Sequence, residues 1–97
     1  MCKIQLNGIL ESTNLLSDAG TEFYGQIVSA LSVEDRVVVD MTDVSSLPSV
    51  FLNVSIGRLI DEMGLETLKQ RVSFVMITKQ QALRLTEYIS KYAGKAG

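Results

Sequence analysis

The chain has 97 residues, 46% of them apolar and 21% charged, and a formal net charge of −2. That is the length of one domain, residues 1–97, with one modest core. It holds no histidine and a single cysteine, which excludes Ser-His-Asp and Cys-His catalysis, histidine metal or haem ligation, an internal disulfide and a thiolate zinc cluster. The slight acidity gives no general attraction to nucleic acid. The opening Met1-Cys2-Lys3-Ile4-Gln5-Leu6 has no apolar run of signal-peptide length behind its basic residue, and nothing approaches the ~20 apolar residues that span a bilayer. The expectation is a cytoplasmic chain without a membrane partner, non-enzymatic, using no cofactor and no metal.

In chain order, Cys2, Ile4 and Leu6 alternate with Lys3, Gln5 and Asn7, the period of a half-buried strand over residues 2–6. Cys2 reads as a small apolar residue of that strand. Gly8 interrupts it, and Ile9-Leu10 either extend it or open another; residues 11–14 are turn-like. From Ser17 the period becomes helical: Gly20, Phe23, Tyr24, Ile27 and Leu31 form a stripe, with Ser17 or Asp18 as N-cap. Gly20 and Gly25 are expected where this helix lies close against the sheet. Residues 36–41, with Val37-Val38-Val39, are the clearest strand; apolar side chains on both faces predict a central strand, covered on each side or packed on a partner.

Residues 42–48 are a loop. Leu52, Ile56, Leu59, Ile60 and Met63, widened by Phe51 and Val54, predict a single buried helix stopped by Gly64. Residues 66–70 form a polar connector or a short turn of helix, residues 72–77 a further strand, and Thr78 the cap of a last helix with the stripe Ala82, Leu85, Ile89 and Tyr92. Residues 92–97 are expected to fray. Met41, Met63 and Met76 read as core fillers. The alternation of strand and helix predicts an α/β domain: a small, mostly parallel sheet of three to five strands with about three main helices.

In an open sheet of this kind ligands sit beyond the carboxyl ends of the strands. Here that places Asp40, Thr42, Asp43, Ser45, Ser46 and Ser49 on one loop, before a helix. Their carboxylates and hydroxyls suit an anion, a metal or a phosphorylated hydroxyl, and equally the ordinary chemistry of a loop and N-cap. Two aspartates are a thin set for magnesium, and they give little support to a hydrolase or phosphotransferase.

The stretch from Val37 to Leu52 resembles the signature of STAS domains, the anti-sigma-factor antagonist family. That signature is an apolar strand ending in Asp, a small polar residue, an apolar residue three or four on, then Asp-Ser-Ser-Gly-Leu opening a helix. Asp40 matches the strand-terminal Asp and Thr42 the small polar residue. Val44 and Leu47 match the apolar anchors, Ser49 the first serine and Leu52 the leucine. Pro48 stands where an acidic residue is expected, and Val50-Phe51 where Ser-Gly is. A Phe here, and Leu15-Leu16-Ser17-Asp18-Ala19-Gly20 leading into a helix, are similar to the divergent STAS-like branch of unknown function. The match spans about residues 15–64.

The resemblance implies a regulatory module working by protein–protein contact, with a histidine-kinase-like ATPase as the partner class and Ser49 as the phosphoacceptor. The implied contact surface is Asp40, Thr42, Asp43, Ser45, Ser46, Ser49 and Phe51. The altered neighbours of Ser49 leave a plain N-cap role as its other reading. A second function class is a small-ligand domain, for a nucleotide or anionic metabolite, using the same loop. Exposed sheet edges make a homodimer an expectation as well.

Overall fold

The computed structural model describes residues 2–96; Met1 and, from the tail expected to fray, Gly97 lie outside them. Strands β1 (Cys2–Gln5), β2 (Val37–Asp40) and β3 (Val72–Val75) form a parallel sheet in the order β1-β2-β3. The valine run is therefore central, as its two apolar faces predict. Cys2 lies opposite Val37 and Val37 opposite Val72; Ile4, Val39 and Phe74 make the next row. On this face Ile4, Val37, Val39 and Val72 are buried. The opposite face carries Lys3, Gln5, Val38, Ser73 and Val75, all exposed or half-buried, and, at its end, the buried Asp40. Cover on both sides, one of the two arrangements expected for β2, is thus not supplied by the described residues.

Helices α1 (Leu6–Ser12), α2 (Leu16–Val33), α3 (Ser49–Asn53), α4 (Ile56–Met63), α5 (Leu65–Arg71) and α6 (Lys79–Ala96) make up the rest of the regular structure. Several expectations are corrected here. The first strand stops at Gln5, because Leu6, Ile9 and Leu10 sit at helical spacing and turn inward as α1, where the sequence suggested strand and turn. Helix α2 begins one residue before Ser17, at Leu16. Its N-cap is Leu15 with no side-chain cap, so Ser17 and Asp18 lie in the first turn. The single buried helix after the loop is two helices, α3 and α4, broken at Val54-Ser55. The hydroxyl of Ser55, fully buried, donates to the Phe51 carbonyl at 2.8 Å. A side chain that takes over a helix carbonyl in this way favours a bend.

Gly64 does end α4, at φ 84°, and the connector beyond it is the helix α5. Strand β3 stops at Val75 because Met76 adopts φ 54° and turns the chain. Met76 is consequently 69% exposed and no core filler, while Met41 is buried and Met63 packs at the core's margin.

The core forms around α2, which packs on β1, β2, α3 and α4. Phe23 of α2 stacks on Phe51 of α3, ring centroids 5.6 Å apart and planes 14° apart. Gly20 allows this approach: a Cβ there would meet Val54 Cγ2 at 2.4 Å and the Phe51 carbonyl oxygen at 2.7 Å. Its close neighbour is thus a helix and not the sheet, and Gly25 has open space around it. At the far end, Arg71 donates to the carbonyls of Leu31, Glu34 and Asp35, tying the end of α5 to the end of α2. No described helix is long and apolar enough to cross a membrane.

Candidate functional site

The loop of residues 41–48 leaves the carboxyl end of β2 and is pinned from within by Met41, Val44 and Leu47, all buried. Its polar residues point outward: Thr42, Asp43, Ser45, Ser46 and Ser49 are exposed. Asp43 sits at φ 64°, a conformation aspartate tolerates better than most residues.

Helix α6 fixes this loop in place. Thr78 and Gln81 form a reciprocal cap at its start: Thr78 Oγ1 accepts from the Gln81 backbone N–H and Gln81 Oε1 accepts from the Thr78 N–H, each at 3.1 Å. The cap leaves the Gln81 amide nitrogen free to donate to the Val44 carbonyl. One turn on, Arg84 Nε donates to the Leu47 carbonyl at 3.2 Å and Nη2 to Ser49 Oγ at 2.8 Å. Gln81 is buried and Arg84 half-buried, so the bonds to the Val44 and Leu47 carbonyls are shielded from competing water, while the bond to Ser49 is exposed.

The candidate residues divide into two groups, one on each side of the loop. Asp40, Thr42 and Asp43 border a hollow of about 230 Å³ with Gln5, Asn7, Gly8 and Glu11. Ser45 and Ser46 border a cleft of about 450 Å³ with Leu47, Pro48, Thr78, Gln80, Gln81 and Arg84. Ser49 lines a neighbouring cleft of about 280 Å³ with Asn53, Arg84, Tyr88, Lys91 and Tyr92. Arg84 borders both of the latter. Phe51 belongs to neither group. Its ring is fully buried on Phe23, so it anchors the surface from below and offers nothing to a partner, contrary to its place in the expected contact set.

Ser49 is likewise not an N-cap. Pro48 holds that position and Ser49 is the first residue of a five-residue helix. So short a helix has little macrodipole to offer an anion. The positive charge at this hydroxyl comes from Arg84.

Asp40 is buried at the strand end. Its Oδ1 accepts from the Thr42 hydroxyl at 2.6 Å and the Thr42 backbone N–H at 2.9 Å, and Lys3 Nζ lies 3.4 Å from Oδ2. The two Thr42 bonds, then the Lys3 ammonium, hold its carboxyl below the usual carboxylate range. A carboxyl held low contributes stability that is complete above its unfolded value of about 3.9 and is lost as pH falls through the folded value. Thermal melts between about pH 5 and pH 3 should therefore fall more steeply for the parent than for Asp40→Asn. Parallel slopes would show that the Asp40–Thr42 bonds carry no such linkage. Among the described residues no group of three or more acidic or cysteine side chains converges as a metal site.

Sequence reasoning missed Arg84, Asn53 and Tyr88. The Thr78-x-x-Gln81 cap was a readable signal for where α6 starts and which face turns inward. From it Arg84 and Tyr88, three and seven positions beyond Gln81, follow on that face.

A family profile described as a STAS-like domain of unknown function (DUF4325) matches residues 19–82. That span runs from the first turns of α2 through the loop and β3 to the Thr78–Gln81 cap. The chain belongs to the STAS-like family. The loop of the STAS-like domain, its anchors and the Gln81 clamp fall within the matched residues; Arg84 lies just beyond them. No curated protein and no solved structure matched the chain.

Proposed function

We propose that this STAS-like domain is a non-catalytic regulatory module that binds a protein partner through the loop of residues 42–49 and the start of α3. The observation that carries this is the clamp from α6. Gln81 and Arg84 hold the loop backbone at Val44 and Leu47, so five exposed polar side chains stand on a backbone that is already ordered. A preorganised surface gives up less freedom on association than a loose loop would. Val50, 47% exposed beside Ser49, adds an apolar contact point to this polar rim. Ser49, its hydroxyl open to solvent, is the phosphoacceptor of this surface. The partner is a histidine-kinase-like ATPase, a class whose chemistry would modify that hydroxyl.

A second reading is favoured by the cleft of about 450 Å³. It opens at the carboxyl ends of the strands, within the size range of small-ligand sites, and its polar groups would suit a nucleotide or anionic metabolite. One set of measurements separates the two. Calorimetry with a purified ATPase of this class encoded beside the gene should show binding. Ser45→Lys and Ser46→Lys, both surface changes that keep the parent's thermal midpoint, should each weaken it about tenfold or more. Parent-like affinity for both variants would remove this surface as the contact. A nucleotide that raises the midpoint of the free domain, with no ATPase binding, would establish the second reading instead.

A further inference from the structure

The cleft between α3 and α6 differs in charge from the rest of the domain. The chain carries 11 acidic residues against 9 basic ones. The residues that line this cleft are Ser49, Asn53, Arg84, Tyr88, Lys91 and Tyr92: two cations, and no carboxylate. Two acids touch residues of this lining without belonging to it. Asp61 Oδ2 accepts from the Tyr92 hydroxyl at 2.7 Å, and Glu87 Oε1 lies 4.0 Å from Lys91 Nζ in an exposed pair that water and salt weaken. Asn53 Oδ1 is taken by the Tyr88 hydroxyl, also at 2.7 Å.

The hydroxyls of the loop are not equivalent in this field. That of Thr42 is donated to Asp40, whereas that of Ser49 accepts from the Arg84 guanidinium and keeps its own proton free. A group attached to Ser49 Oγ would grow directly against Nη2 of Arg84. Arg84 in turn is braced by the Leu47 carbonyl, which sets the plane of its fork. A planar guanidinium held in this way is suited to a phosphate oxygen pair.

We propose that Arg84 and Lys91 form an intramolecular receiver for a phosphoryl group on Ser49, which locks α3 to α6 when that residue is modified. This rests on the reading of Ser49 as a phosphoacceptor, and it adds where the phosphate goes. In the transfer, Ser49 Oγ bonds to the γ-phosphorus of a nucleoside triphosphate, the bond from that phosphorus to the bridging oxygen breaks, a nucleoside diphosphate leaves and the hydroxyl proton passes to a base of the kinase. The product dianion exchanges the neutral hydroxyl–guanidinium bond for charge-assisted ones to Arg84, with Lys91 closing from the next turns of α6. Modification then stiffens the surface a partner would read as well as changing its charge.

The test does not depend on any kinase or partner. Phosphoserine is placed at position 49 by semisynthesis and the phosphate is titrated by phosphorus NMR. A free phosphomonoester loses its second proton at about pH 6. Beside two cations it should do so at about pH 5.5 or below, a roughly threefold change in proton affinity. Arg84→Gln should return the titration most of the way to about 6, and Lys91→Gln, which leaves the loop clamp intact, should return it a smaller part of the way. A phosphate that titrates at about 6 in the parent, or one unmoved by either substitution, overturns the receiver. Failure of the partner reading would leave these titrations unchanged, so the two outcomes are distinguishable.

Discussion

Phe51→Ala should cost about 3–5 kcal/mol of folding stability, the range for emptying a buried aromatic site. The ring is fully buried and stacked on Phe23, and its own carbonyl is the acceptor for Ser55 at the break between α3 and α4. Domains of this size have about 5–15 kcal/mol in total, so the variant should sit near its unfolding threshold in urea at 25 °C. A loss below about 1 kcal/mol would mean that the α2–α3 contact can close over the cavity. The result also bears on how the contact surface should be probed. A charge at position 51 would abolish the proposed partner binding by unfolding the domain, so the informative substitutions are those of exposed residues such as Ser45 and Ser46.

Gly20→Val should be comparably damaging, and the sign of the effect should reverse at the other glycine of the same helix. At Gly20 a first side-chain carbon already falls 2.4 Å from Val54 Cγ2 and 2.7 Å from the Phe51 carbonyl oxygen. The first neighbour can rotate; the second is backbone and moves only if α3 shifts. Overpacking of this kind costs about 1–3 kcal/mol and sometimes more, and valine's branched side chain worsens it. Gly25 has nothing within 4 Å of the same position. Gly25→Ala should therefore stabilise α2 by about 0.5–1 kcal/mol, the helix-propensity difference alone. Paired denaturation curves read both effects. A destabilised Gly25→Ala, or a neutral Gly20→Val, would mean that α2 packs differently from the arrangement described.

These two glycines also show where sequence reading ends. Strand-to-helix alternation and the valine run were sufficient for an α/β domain with β2 in the centre, because periodicity and β-branching are local properties. What a glycine stands next to is not local: the stripe turns Gly20 inward and leaves Gly25 off it, but nothing in the string says that the neighbour of Gly20 is a carbonyl of α3 and not the sheet. The same holds for the break at Ser55, where the apolar stripe runs on through residues 52–63 while a buried hydroxyl diverts the backbone. At Leu6 the two periods coincide, since Cys2, Ile4 and Leu6 satisfy the alternation and Leu6, Ile9 and Leu10 satisfy the helix.

Within the site, residue types located the loop and its hydroxyls. They could not divide the set into an Asp40 side and a Ser49 side, and Phe51, which the buried stripe already turned inward, entered the contact set only through the resemblance. Arg84 lies 35 positions from Ser49, and a partner so distant in the chain leaves no spacing to read.

The register of the sheet has a consequence for the order of folding. Each neighbouring strand lies 35 positions away along the chain, Cys2 against Val37 and Val37 against Val72. No hairpin exists among these strands that could form early and template the rest. Loop-closure entropy must be met before any strand pair gains its hydrogen bonds. The helices between the strands shorten those excursions, and α2, which touches both β1 and β2, is the element best placed to bring the first pair together. The transition state should accordingly contain α2 and the central strand. The loop of residues 41–48, which depends on α6 for its clamp, should be among the last parts to become ordered and the first to open.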